Sequence, residues 1–465
     1  MTSPEVMPSS PRAPTIDGDT VTTASTGPVW RPTLALHASL LVGLVLATVG
    51  VLASRVDVVL LALPFLVSAA IALDRAPDER AESTLHVYVT RSTDVTSAPA
   101  FEYRVVLVAP AATEFVQLRL ITGGVDRWEL LLAPNAERTV TGRVPVQHSG
   151  RQPVVSVAYR LFGPDGAWAS RPVPATLVER VVAPAIVPLE ALPLPHRLTG
   201  LTGTHESVRP GDGGEFRDVH PYASGDRLRR IDWKATARRS QGLGDLYVRR
   251  TNATADATLL LVIDSLDDIG ERVASWSFEA TERGVTSMDL AREAAASIAA
   301  AAIRTGDRVG LLDLAAQDGV VAAGGGRRHL DRLLRRLAAS EPMGTRLTRR
   351  RAPVVPAGAI VYVFTTLLDD EAAALAQRWR ASGHRVVVVD VLPTPRLDFV
   401  DRHTGLAHRL VLAERRQRLD TLRANGIDVL RWPEDAHQPA RAVAMRALAT
   451  RAFARGGRAR AGQGG

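Results

Sequence analysis

Three stretches decide the fold: TLLLVI at Thr258–Ile263, SMDLAREAAASIAAAAIR at Ser287–Arg304 and RVGLLDL at 308–314. The first and third are short apolar runs, as expected of strands buried on both faces. In the second, Met288, Ala291, Ala295, Ile298 and Ala302 recur at three and four, the period of a helix with one apolar face. Thr286, with Asp289 three residues on, reads as a capping box that starts this helix. The alternation continues through a helix over 328–339, strand Ile360–Thr365, a helix over 370–382 and a strand over 384–391. A helix over 413–425, a strand over 427–431 and a last helix from about 437 complete it. Strands alternating with helices predict a doubly wound α/β domain over 258–450, with a parallel sheet covered on both faces. Ligands of such sheets bind at the carboxyl ends of the strands. No GxGxxG or Walker A loop is present. Gly324-Gly325-Gly326 lacks the Lys and Ser/Thr of a phosphate loop and reads as a turn.

Upstream the pattern changes. Residues 83–180 contain TLHVYVT, FEYRVVLVA, VQLRLI, WELLLA, ERTVTGRVPV and PVVSVAYRLFG, separated by turn residues. Such spacing predicts an antiparallel, Ig-like β-sandwich. Pro184, Pro188, Pro193 and Pro195 mark 181–200 as a linker. Nearer the start, 34–53 (LALHASLLVGLVLATVGVLA) and 56–73 are apolar runs. Each is long enough for a helix across a bilayer core of about 30 Å. Pro64 in the second is tolerable in a membrane helix. The pair predicts a transmembrane hairpin over 34–73. Arg12 and Arg31 precede it, Arg75, Arg80 and Arg91 follow it, and Arg55 alone sits in the turn. That bias places both flanks, and so the bulk of the chain, in the cytoplasm. Residues 1–33, rich in Pro, Ser and Thr, and the basic tail 451–465 read as disordered.

Composition narrows the chemistry. The 465 residues contain no cysteine, which removes disulfides, thiolate metal sites and a cysteine nucleophile. A net charge of +8 is modest over this length, and aromatics are only 5%. No basic patch interleaved with aromatics appears, so nucleic acid is not the expected partner.

The most distinctive segment lies within 201–257. Residues 209–250 read RPGDGGEFRDVHPYASGDRLRRIDWKATARRSQGLGDLYVRR. Charges of both signs alternate at short range, and Phe216, Tyr222, Ile231 and Trp233 are available as aromatic and apolar anchors. The expectation is an irregular segment held by those anchors and by carboxylate–guanidinium pairs. It serves either as structural lattice or as a partner-docking surface. His220 has no obvious metal-ligand companion, and no catalytic constellation appears, so the chain is expected not to be an enzyme.

This segment resembles the signature of the bacterial domain of unknown function 58 family. The resemblance rests on Gly213, Gly214, Glu215, Phe216, Tyr222, Gly225, Asp226, Arg229, Arg230, Ile231, Asp232, Trp233, Lys234, Ala237 and Arg238. The resemblance implies paired membrane helices, a β domain and a von Willebrand factor A-like C-terminal domain. It also implies association with a MoxR-type AAA+ ATPase, beside whose gene such proteins are commonly encoded. A von Willebrand A-like domain further implies a divalent-metal site, Asp-x-Ser-x-Ser after the first strand with a distant Thr and Asp. Asp264 takes the first position, but Leu266 and Asp268 replace the serines. Thr345 fits the distant Thr, and Thr365 and Thr366 stand where the distant Asp belongs. The degenerate set Asp264, Asp268 and Thr345 is expected to hold Mg²⁺ weakly at most. The leading expectation is a membrane-anchored scaffold that binds protein, an accessory of a MoxR-type ATPase. The alternative is a metal-dependent von Willebrand A-type receptor.

Overall fold

The computed structural model describes residues 20–78, 81–92, 99–123, 125–132, 137–193, 205–224, 226–239, 246–276, 284–316, 319–344, 352–398, 400–432, 443 and 445–447. The chain forms two units: Met1–Val146 with Gln152–Arg180, and Gln147–Arg151 with Val181–Gly465.

In the first unit, helices α1 (Leu34–Leu52) and α2 (Val56–Asp74) form a hairpin. Their mean hydropathies of 2.2 and 2.5, over 19 residues each, make them long and apolar enough to cross a membrane. The buried positions are Leu36, Gly43 and Gly50 on α1 and Ala62, Ala69 and Ala72 on α2, a seam of mostly small residues. A Cβ on Gly43 would lie 2.8 Å from Leu66, and one on Gly50 2.6 Å from Val59. Small residues therefore set how closely the two backbones approach.

The remainder of this unit is antiparallel. Its strands are β1 (Thr20–Thr26), β2 (Trp30–Pro32), β3 (Ser83–Arg91), β4 (Ala100–Val108) and β5 (Phe115–Thr122). They continue with β6 (Val125–Leu132), β7 (Glu137–Pro145), β8 (Gly150–Phe162), β9 (Trp168–Ser170) and β10 (Val173–Val182). One sheet runs β1-β3-β4-β7; the other runs β2-β9-β8-β5-β6, with β10 also on β8. A buried hydrogen bond of 2.8 Å between the Ser83 and Tyr159 hydroxyls joins the sheets. The expected disorder of 1–33 is corrected from residue 20 onward. Thr20–Thr26 pairs with β3, and Trp30–Pro32 pairs with β9. The run TVTTAST is rich in β-branched residues that suit an edge strand, which its Ser and Thr content had disguised. The hairpin is fastened to this β structure. The Thr33 hydroxyl donates to the Gly166 carbonyl at 2.7 Å, and the Trp168 indole donates to the Ala72 carbonyl at 2.8 Å.

The second unit starts with β11 (His205–Pro221) and β12 (Tyr247–Ala255), a two-stranded antiparallel sheet with register shifts, and α3 (Trp233–Arg239) between them. The segment expected to be irregular is thus largely a twisted ribbon. A six-stranded sheet follows. Its strands are β13 (Thr258–Ile263), β14 (Arg308–Asp313), β15 (Val320–Gly324), β16 (Ile360–Thr365), β17 (Arg385–Asp390) and β18 (Asp428–Arg431). They lie in the order β15-β14-β13-β16-β17-β18, parallel except for the edge strand β15. Its helices are α4 (Ser287–Arg304), α5 (Arg327–Ala338), α6 (Glu371–Ala381) and α7 (Arg402–Ala424). Successive residues of β13 feed opposite faces: Leu259, Leu261 and Ile263 join the α4 core, and Leu260 and Val262 join the α6 core. The capping box at Thr286 and Asp289 is present in full.

Two expectations need correction. Within 181–200, the described residues do not form a free spacer. Val187 and Leu189 are buried in the α4 core, and the Val187 amide donates to Ser297 Oγ at 2.9 Å. Alternate apolar residues between prolines are enough to lay an extended strap on a helix. The helix placed at 413–425 begins eleven residues earlier, where Asp401 caps it by accepting the Thr404 amide at 2.7 Å. Thr404 and Gly405, weak helix formers in its first turn, had hidden the start. Residues 1–19, 451–465 and most of the helix expected from 437 lie outside the described residues.

Candidate docking face

The ribbon and α3 bring most of the distinctive residues together. Gly214, Glu215 and Phe216 lie on β11. Asp226 accepts the Ala223 amide at 3.0 Å and has His220 Nε2 at 3.2 Å and Arg250 at 3.6 Å. The Ala223 N–H foremost, with Arg250 and His220, holds Asp226 below the usual carboxylate pKa. Asp232 starts α3: its carboxylate accepts the Ala235 amide at 2.9 Å, and its carbonyl accepts the Thr236 amide at 2.8 Å. The Asp232 amide donates to Tyr247 on β12, and the Tyr247 amide donates to the Thr236 hydroxyl at 3.0 Å. Asp232 is therefore a helix cap that ties α3 to the ribbon. Gly225 lies outside the described residues.

The aromatic residues do not behave as buried anchors. Trp233 is 69% exposed, Phe216 50% and Tyr222 38%. Leu228, at the start of the short 3₁₀ turn Leu228–Arg230, is also exposed. The Arg249 guanidinium lies over the Phe216 ring at 5.2 Å, a cation–π contact at the surface. Arg229, Arg230, Ile231, Asp232, Trp233, Arg249 and Thr251 line a shallow groove of about 510 Å³. Lys234 and Arg238 are exposed on α3. Sequence reasoning missed Arg249, because only the fold of the ribbon carries it back over Phe216.

Two members of the degenerate metal set, Asp264 and Asp268, lie among the described residues. Asp264 accepts the Thr365 hydroxyl at 2.7 Å. Burial foremost, with Asp369 nearby, pushes its carboxyl up to about 7. Asp268 instead caps α4, accepting the Met288 amide at 3.0 Å. Leu266 is buried, and Thr345 lies outside the described residues. Among the described residues no group of three or more His, Asp or Glu side chains is placed to hold a metal ion. Asp264 and Asp268 are each engaged in hydrogen bonds within the fold.

A second polar cluster had no sequence signal, because its members lie some 140 residues apart. Asp289 accepts His148 Nδ1 at 2.7 Å and the Ser149 amide and hydroxyl at 2.7 and 2.9 Å. Burial raises the Asp289 pKa, but His148 and Ser149 outweigh it and leave it lowered. Arg292, whose pKa burial lowers, donates to the Ser149 and Ser340 carbonyls at 2.6 Å each. This cluster has the dense bonding of a structural tie, although Arg292 Nε is buried without a hydrogen-bond partner among the described residues.

No curated protein matches the chain. The family model described as "Protein of unknown function DUF58" matches residues 218–398, which take in α3, the groove beside Trp233 and the sheet through β17. Over that region the chain is similar to the DUF58 family.

Proposed function

We propose that the chain is a membrane-anchored, non-enzymatic scaffold that binds another protein through the face around Trp233. The partner is a MoxR-type AAA+ ATPase, and the bulk of the chain is cytoplasmic. In this reading the first unit is an Ig-like sandwich, and the α/β unit is a von Willebrand A-like platform working without a tightly held metal.

One observation carries the docking reading: Trp233, inside the DUF58 match, is 69% exposed. A tryptophan kept only for packing has no reason to be there. The exposed 69% of a side chain with roughly 200 Å² of surface is about 140 Å², and covering it returns about 3.5 kcal/mol at ~25 cal/mol per Å². That is the size of one interface hot spot. The test is binding of a purified MoxR-type ATPase from the same source to the full-length chain in lipid nanodiscs. Trp233→Ala should abolish binding while leaving the melting temperature unchanged. Undiminished binding by that variant sinks the docking reading.

A further inference from the structure

The groove beside Trp233 has a chemistry of its own, and naming it deepens the docking reading on which it rests. Arg229 and Arg249 line it, and Lys234, Arg238 and Arg239 are exposed on the adjoining helix. Two nearby carboxylates are engaged from within: Asp232 by the Ala235 amide, Asp226 by Ala223, His220 and Arg250. Cations therefore face outward here while the acids are turned to local work. Beside them stand exposed apolar groups, Leu228 at 65% and Trp233 at 69%. Guanidinium forks match carboxylates in a bidentate manner, and an indole next to them accepts an apolar side chain.

We infer that this groove binds an acidic peptide segment that carries an apolar side chain, the carboxylates meeting Arg229 and Arg249 and the apolar group meeting Trp233. A concave groove flanked by a helix suits one extended chain better than the flat headgroup layer of a bilayer. An interface of this kind associates quickly and weakens as salt screens it.

The probe is a short fluorescein-labelled peptide of glutamates around one phenylalanine, set against a lysine counterpart of the same length. Anisotropy is read on the full-length chain in neutral-lipid nanodiscs. The acidic peptide should bind at least about tenfold more tightly than the basic one, and lose affinity as salt rises. Arg229→Glu with Arg249→Glu, and separately Trp233→Ala, should each weaken it by about tenfold or more. Their melting temperatures should match the parent, and Arg229→Lys with Arg249→Lys should restore part of the binding. Equal binding of the two peptides, or indifference to the variants, overturns the inference. So does capture of phosphatidylserine vesicles, but not of the peptide, lost in the same variants. If the ATPase still requires Trp233 while the acidic peptide shows no preference, this inference falls and the docking reading stands. If the peptide behaves as expected while the ATPase ignores Trp233→Ala, the docking reading falls and this one stands.

Discussion

The second unit uses its aromatic residues in two opposite ways. In the α/β sheet Tyr362, Phe364 and Trp432 are at most 1% exposed, and the Trp432 indole also donates to Glu293 at 2.9 Å. On the ribbon, the turn after it and α3, Phe216, Tyr222 and Trp233 face solvent. The first set holds the fold together; the second leaves free energy unspent until something covers it. A tryptophan in a distinctive motif is thus no guide to burial until the strands around it are placed.

The contrast can be broken by experiment, beginning at the buried end. Trp432→Ala should cost about 3–5 kcal/mol in chemical denaturation, since it removes a filled volume at the centre of the α4 core. A loss below about 1 kcal/mol would mean that the core is not where the structure places it.

Asp264 sharpens the comparison from the polar side. Its folded pKa of about 7 lies above the ordinary 3.8, so the folded state holds a proton that the unfolded chain gives up. Stability attributable to this group falls as pH rises from about 4 to 7, and the penalty is then constant. Asp264→Asn should therefore raise stability at pH 8 by about 2–4 kcal/mol, with little gain at pH 4. An equal effect at both pH values would show that the carboxyl titrates normally.

Asp289 has the opposite sign. Its lowered pKa contributes stability present above the unfolded value of 3.8 and lost as pH falls through the folded one. Asp289→Ala should cost about 1–3 kcal/mol at pH 7, because it strands the Ser149 donors and Arg292. The difference from the parent should shrink in acid. Smallest is the effect of Trp233→Ala on folding, within about 0.5 kcal/mol by thermal melting. A loss of several kcal/mol would merge the two aromatic classes and end the comparison.

Much of this architecture was legible in the sequence because it rests on period. The run 258–263 and the three-four repeat of 287–304 give strand and helix wherever their neighbours fall, and the hairpin declares itself by length. What escaped depends on partners far along the chain. Thr20–Thr26 is a strand only because β3 offers an edge, and Val187 and Leu189 are core only because α4 lies beneath them. The candidate face was legible as a motif but not as a surface. Nothing in the spelling of RRIDWK says which side of the chain the indole leaves, and the Arg249 stack on Phe216 exists only after the ribbon pairs.

The fastening of the hairpin has a mechanical consequence. Helices of 19 residues reach about 28 Å, scarcely the thickness of a hydrocarbon layer of about 30 Å. The indole of Trp168 grips the carbonyl of Ala72, two residues from the end of α2, and Thr33 grips Gly166 just before α1. Both ends of the hairpin are thus hydrogen-bonded to the segment around β9. If the hairpin crosses a bilayer, its tilt is therefore passed to the segment to which it is bonded. A thinner or thicker membrane, accommodated by helix tilt, turns β9 and its neighbours with it.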